Sequence, residues 1–483
     1  GGGAGGDGGT GAALTAGGTL DNHGQVTGGN GGTGGAVLGG AANEVGGNGG
    51  AGAAGVLVTG GGTVSNAGAI AGGNGGNGGA SGAGNGAAGV GGAGISGANM
   101  TITNAGTISG GMSSDGSTRA AAIFFTGGTS TLTLNSGSTL NGAIRLGSGG
   151  VSATISAGNT GMTLNAPIVL GDSQATLTLD STNNLVVSGL ISGGGNVTTT
   201  GSGMLTLSGA NNYTGSTNLN AGGIVVGNSA SLGNGALNVN GSATLDTSTN
   251  VTLANTVNLA TGTTLTVGGS NNLGLAGFIN GNGGLVKNGA ATLTLTGANT
   301  YTGDTTINAG TLALGAGGSL SAIGTVNLTG AGATFDLSNA LGTQTIGALA
   351  GAAGTNVNLG INSLALDGSR NATYAGTIGG TGGVTLSGFG TQTLSGTNVY
   401  TGGTNLNGGH LVVGSNTALG TGAVNVNGPA SLDATTNVSL ANGVNIATGT
   451  TLTLGGSNGL GLDGTISGGG GLVKNGAATL TLY

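Results

Sequence analysis

Apolar and polar residues alternate along this chain in runs of four or five, and glycine or asparagine interrupts every run. Ala291-Thr292-Leu293-Thr294-Leu295 and Thr305-Thr306-Ile307-Asn308 show the pattern, with Asn299-Thr300-Tyr301-Thr302-Gly303 as the turn between them. Period two between Gly/Asn clusters predicts half-buried β-strands. A unit this short cannot bury its apolar face alone and needs neighbours of its own kind. The chain supplies them. Ile191, Ile279, Ile378 and Ile466 each introduce a Gly-rich link, and Tyr213, Tyr301 and Tyr400 hold the same register at spacings of 88 and 99 residues. Residues 205–296 align without a gap on 392–483, an offset of 187, with about 65 of the 92 positions identical.

Strand-turn-strand modules of about 20 to 22 residues divide these long units into four or five, the coil size of a solenoid whose turns carry two or three short strands. Roughly 20 coils follow for the whole chain on that reading. We divide it into a Gly-rich solenoid segment (1–115), a transitional set of coils (116–190) and long repeats (191–483). The repeats run 191–278, 279–377 and 378–465, with 466–483 a partial copy.

The first segment has its own punctuation. Thr19 to Val26, Thr63 to Ile70, Thr101 to Ile108 and Thr133 to Leu140 share an apolar residue, Asn-x-Gly and a second apolar residue. This reads as strand, tight turn, strand, because Asn and Gly accept the left-handed backbone of the corner. Between these units lie tracts such as Gly28 to Ala36 (GGNGGTGGA) and Gly72 to Ala80 (GGNGGNGGA). With few side chains to bury, they read as flexible surface loops. Their Gly-Gly-x period of three supports an alternative, extended polyglycine-type strands laid side by side. In the transition, Phe124 and Phe125 read as a packed corner or core step.

Composition narrows the picture. The 483 residues include 123 glycines, two prolines, no cysteine, no tryptophan and only 17 charged side chains. Exposed helical faces need Glu, Lys, Arg and Gln, which are scarce here, whereas Thr, Val, Leu, Ile and Asn favour strands and turns. An apolar fraction of 36% and a net charge of −7 argue against disorder, which couples low hydrophobicity to high charge. Nucleic acid and a basic membrane-binding surface are excluded for want of Lys and Arg. No apolar run reaches the 18 residues of a membrane-spanning helix, and no signal-peptide pattern follows Gly1, as expected of a mature or trimmed segment. The absence of cysteine fits an exported protein held without disulfides.

Residues 283–315, with copies at 195–227 and 382–414, resemble the autotransporter-associated β-strand repeat of type V secreted passenger domains. The family pattern of a Gly-rich lead, Lys-x-Gly, T-L-T-L, N-x-Y-T-G and T-x-I-x-x-G-x-L appears as Gly283 to Gly289, Thr292 to Leu295, Asn299 to Gly303 and Thr305 to Leu312. The first copy lacks the lysine and has Met204 in place of Thr; the third has Leu386-Ser387-Gly388. With only Lys287 and Lys474 surviving, the lysine reads as dispensable for folding. The resemblance implies an all-β, right-handed parallel β-helix, secreted or displayed at a Gram-negative surface and exported through a C-terminal β-barrel. It implies stacked Leu, Val and Ile rows, and Asn211, Asn299 and Asn398 are candidates for amide ladders within their units. Tyr483 stands in mid-repeat, where other copies have Thr or Ser, so the protein's own C-terminus is expected further on.

Candidate chemistry is sparse. The only histidines are His23, in an Asn-x-Gly corner, and His410, where the matching positions are Gly223 and Thr311; both read as variable exposed corners. Asp246 and Asp433 recur at the 187-residue offset and read as structural, and Asp115, Asp172, Asp180, Asp336, Asp367 and Asp463 are scattered. Gly2 to Asp7 partly matches a calcium-binding nonapeptide but occurs once, with Gly9 where an apolar residue belongs. We therefore expect no catalytic, cofactor or metal residues and no enzyme. The expected function is a surface-exposed or secreted stalk in adhesion, autoaggregation or biofilm, with self-association, glycans or proteins as partners. The alternative is a filament subunit stacking head to tail, because neither end shows a polar cap. Polysaccharide processing, and ice binding through Thr292 and Thr294, are minor alternatives.

Overall fold

In the computed structural model, which describes residues 1–39, 43–269, 271–456 and 458–483, each alternating run becomes a short strand paired in parallel with its equivalent one coil on. The fold is an all-β parallel solenoid without a helix among the described residues. It makes about 16 turns among those residues rather than 20, because coils near the N-terminus are enlarged. Asn22 stacks on Asn66 and Asn66 on Asn104 across 44 and 38 residues, against 20 in the later coils. The chain falls into two compact units, Gly1–Leu237 and Asn238–Tyr483.

In the first unit a seven-stranded sheet runs from Ala12–Leu14 through Val56–Val58 and Ile95–Ala98 to Ile191–Gly193. Inward residues repeat in rows: Val56, Ile95, Ile123, Ile144, Ile168 and Ile191 are fully buried in register. Phe125 is a buried core step, as expected, whereas Phe124 lies outside with the Arg145 guanidinium 6.0 Å above its ring. The buried Asn-x-Gly asparagines form an amide ladder. Asn22 Nδ2 donates to Asn66 Oδ1 and Asn66 Nδ2 to Asn104 Oδ1, both at 2.7 Å. The fourth unit of that series departs: Leu134 pairs with Asn104, and Ser138 Oγ ends the ladder by accepting from Asn104 Nδ2 at 2.6 Å. Asn135 is one position out of register.

The glycine tracts are not flexible loops. They are extended chains packed in two antiparallel layers, and a three-residue period assigns each backbone N–H its direction. Within a layer, Gly5 and Gly8 donate to the carbonyls of Asn48 and Ala51 at 2.8 and 2.9 Å. Between layers, Gly29, Gly32 and Gly35 each donate to Gly9, Gly6 and Gly3 at 2.7 Å. The third N–H points outward, where an Asp or Asn of the preceding tract in the layer can satisfy it. Ala51 donates to Asp7 Oδ1 at 2.8 Å, Asn74 to Asn30 Oδ1 at 2.7 Å, Ala87 to Asn48 Oδ1 at 2.9 Å and Met112 to Asn74 Oδ1 at 2.8 Å. A Cβ on Gly76 would lie 2.0 Å from the Gly32 carbonyl oxygen, and one on Gly47, Gly50, Gly73 or Gly79 would meet a backbone carbonyl oxygen as closely, so these inward positions take glycine. Asn30, Asn48 and Asn74 are therefore struts between chains.

In the second unit the coil settles at 19 to 23 residues and three faces. Seven-stranded sheets run from Val251–Leu253 to Thr377–Gly379 and from Gln344–Ile346 to Ile466–Gly468. Leucine, valine and isoleucine fill the interior, and outward positions carry Thr, Asn and Ser.

Candidate functional site

The Asn-x-Tyr-Thr-Gly turns are where the solenoid breaks its own rule. Each crosses one face of a coil without forming a strand, and a sheet ends there. The strands that end sheets at these points are Ile191–Gly193, Ile279–Gly281 and Thr377–Gly379. Asn211, Asn299 and Asn398 stand in for the missing strand. Their Oδ1 atoms accept the backbone N–H of Ile191, Ile279 and Ile378 at 2.7, 2.8 and 2.7 Å. Their Nδ2 atoms donate to the carbonyls of Ser231, Ser319 and Ala418 at 2.6, 2.8 and 2.6 Å. The expected amide ladder is thus replaced by a clamp to the coils on either side. Copies 88 or 99 residues apart are several coils apart, so these side chains never meet.

Two residues on, a tyrosine fills the core at each turn. Tyr301 and Tyr400 share a hydrogen bond with Thr305 Oγ1 and Thr404 Oγ1, both at 2.6 Å, and Tyr213 pairs with Thr217 in the same way. Burial pushes all three phenols above their ordinary range, and pushes that of Tyr374 up to about 12. Neutral, paired and enclosed, they are structural.

Lys287 is 2% exposed, a rare state for lysine. Its Nζ donates to the carbonyls of Asn288 and Gly289 at 2.6 and 2.7 Å and to Ala309 at 3.3 Å. Desolvation lowers its pKa. Thr199 and Leu386 fill the same inward position in the other copies, both buried, so the ammonium is one of several ways to fill it.

The remaining candidates lie apart. His23 and Asp21 form an exposed pair at 3.3 Å. Asp246 and Asp433 each accept the next residue's backbone N–H at 2.7 Å and press against Gly269 and Gly456 of the following coil. Asp115 caps a turn, and hydrogen bonds from Ser113 and Ser117 hold its carboxyl down at about 2. Asp7 belongs to the glycine layers. His410 is not an isolated corner: it opens the strand His410–Val413, is half-buried, and its Nδ1 pairs with Ser431 Oγ on the next coil. No group of three His, Cys, Asp or Glu among the described residues could hold a metal ion.

Three stretches, 197–226, 285–314 and 384–413, match the family described as the passenger-associated-transport-repeat. No curated protein and no solved structure shows significant similarity to the chain. In each match four strands span one and a half coils: Gly284–Lys287 pairs with Thr305–Ile307, and Thr292–Leu295 with Thr311–Leu314. The other copies repeat this pairing strand for strand, with the clamp and the tyrosine between. Such repeats belong to proteins carried on, or secreted from, the Gram-negative surface. Three copies of this repeat, folded as coils of a parallel β-solenoid, indicate an autotransporter passenger domain.

Proposed function

We propose that this passenger is a non-catalytic stalk that promotes contact between cells, or between a cell and a surface. The observation that carries the reading is the character of its exterior. Outward asparagines stack from coil to coil, with Nδ2-to-Oδ1 bonds of 2.8 Å from Asn308 to Asn288, 3.0 Å from Asn425 to Asn405 and 3.1 Å from Asn427 to Asn407. Amide rows of this kind offer donors and acceptors at the regular inter-coil spacing, which suits a second copy with the same spacing. With 17 charged side chains in 483 residues, like-charge repulsion between copies is weak.

The test is to display residues 1–483 on a Gram-negative host through an outer-membrane β-barrel and follow settling and surface-attached biomass. Faster settling than cells carrying the barrel alone is the expected result. Unchanged settling together with unchanged attachment overturns the proposal, and turnover of any polysaccharide by the purified chain overturns its non-catalytic part.

A further inference from the structure

The third repeat differs from the first at three positions where a small residue becomes a bulky or functional one. Phe389 stands where the first copy has Ser202, His410 where it has Gly223, and Pro429 where it has Ser242. The second copy has Ala290 and Thr311 at the first two positions. In sequence these replacements are some 20 residues apart. In the fold they line one shallow cleft of about 430 Å³, together with Gly409, Ser431 and Thr453.

The cleft has apolar walls and a polar row. Phe389 is fully exposed, an aromatic ring free to meet a ligand on a surface of Thr, Ser and Asn. Pro429 adds a second apolar side chain to the lining, and Gly409 contributes none. His410, Ser431 and Thr453 pair in register on three successive strands, a line of hydrogen-bonding groups about 4.8 Å apart. His410 Nδ1 is tied to Ser431 Oγ, which fixes the ring and leaves Nε2 without a protein partner among the described residues. The lining carries no carboxylate, lysine or arginine.

We propose that this cleft binds a neutral saccharide. The electron-rich face of Phe389 suits the polarised C–H face of a sugar ring, and the hydroxyl and imidazole row suits its equatorial hydroxyls. An uncharged lining gives an anionic sugar no counter-ion, and a His–Ser pair without a carboxylate lacks the group that orients the base in hydrolytic triads. The site gives the stalk a ligand and rests on the adhesive reading only for its purpose.

The test uses the whole chain and saturation-transfer NMR with cellotetraose, mannotetraose and chitotetraose, with sialyllactose as the charged comparison. The expected result is transfer to at least one neutral sugar in preference to sialyllactose. Affinity should fall about tenfold or more in Phe389→Ser and in His410→Gly. Both variants install the first repeat's own residue, so the melting temperature should hold. Absence of transfer from all three neutral sugars overturns the proposal, as does Phe389→Ser binding like the unaltered chain. Cell settling, measured separately, bears on adhesion alone.

Discussion

Asn299 accepts the backbone N–H of Ile279 at 2.8 Å, twenty residues back along the chain, and donates to the Ser319 carbonyl twenty residues ahead at the same distance. One side chain thereby bonds the coils on both sides of a place where the sheet has stopped.

Replacing Asn299 by Ala strands the buried N–H of Ile279, and an unsatisfied buried group costs about 1–3 kcal/mol, whereas the Ser319 carbonyl keeps the backbone N–H of residue 299 at 3.2 Å. Asn299→Ala should lower the denaturant midpoint by an amount equivalent to about 1–3 kcal/mol. Asn308→Ala, at an exposed rung, should change it by less than about 0.5 kcal/mol. Equal midpoints for the two variants would show that the clamp is incidental.

Tyr301 makes a graded prediction. Tyr301→Phe leaves the Thr305 hydroxyl alone and should cost about 1 kcal/mol. Tyr301→Ala opens a cavity and should cost about 3–5 kcal/mol. Both values come from urea unfolding of the whole chain.

Alkaline pH follows from the same tyrosines. Their folded pKa values lie above the ordinary 10.0, so the folded state holds protons that the unfolded chain releases. That stability is fully present below pH 10 and is lost as pH rises through the folded values. Unfolding monitored by phenolate absorbance should therefore begin above about pH 10 and be cooperative. Phenolate appearing gradually while the fold persists would contradict the enclosure of these rings.

Lys287 reverses the usual expectation for an interior charge. Burial lowers its pKa, so at neutral pH the folded state carries a desolvation penalty that eases as pH rises through the lowered value toward the ordinary 10.5. Leu386 occupies the same position in another copy. Lys287→Leu should be neutral to stabilising by about 0–2 kcal/mol at pH 7, with the advantage shrinking toward pH 10. A loss of about 3 kcal/mol or more would make the three carbonyl bonds indispensable.

In the glycine layers, Gly76→Ala places its Cβ 2.0 Å from a carbonyl oxygen and should open the bundle to protease. Asn77→Ala, at the outward position of the same tract, should leave it resistant. Similar digestion of both would refute the packed-layer arrangement.

The strands and their register were legible because alternation and long-range repetition carry them in the letters themselves, whereas the tyrosines read only as register marks and not as core. The glycine layers were half legible. Their period of three is visible, but a backbone-only lattice leaves no apolar pattern to weigh, so a loop was the leading reading. Asn135 misled because Asn-x-Gly was matched while its one-residue slip was not. The Asn211, Asn299 and Asn398 clamps eluded the sequence reading because each side chain meets only backbone, and a backbone partner leaves no residue-type signal. Phe389, His410 and Pro429 come together only through coil-to-coil stacking. Comparing the two 187-offset copies position by position would have found all three.

The placement of the clamps within the second unit bears on how it meets a pulling force. The turn at Asn299 interrupts one face, after Ile279–Gly281, and the turn at Asn398 another, after Thr377–Gly379. Joints are staggered as in bonded brickwork: where one wall has its seam, the strands of other faces run past unbroken. Tension along the coils then meets no level at which every hydrogen-bonded wall is cut at once, and a tear begun at one turn has to cross intact courses to spread.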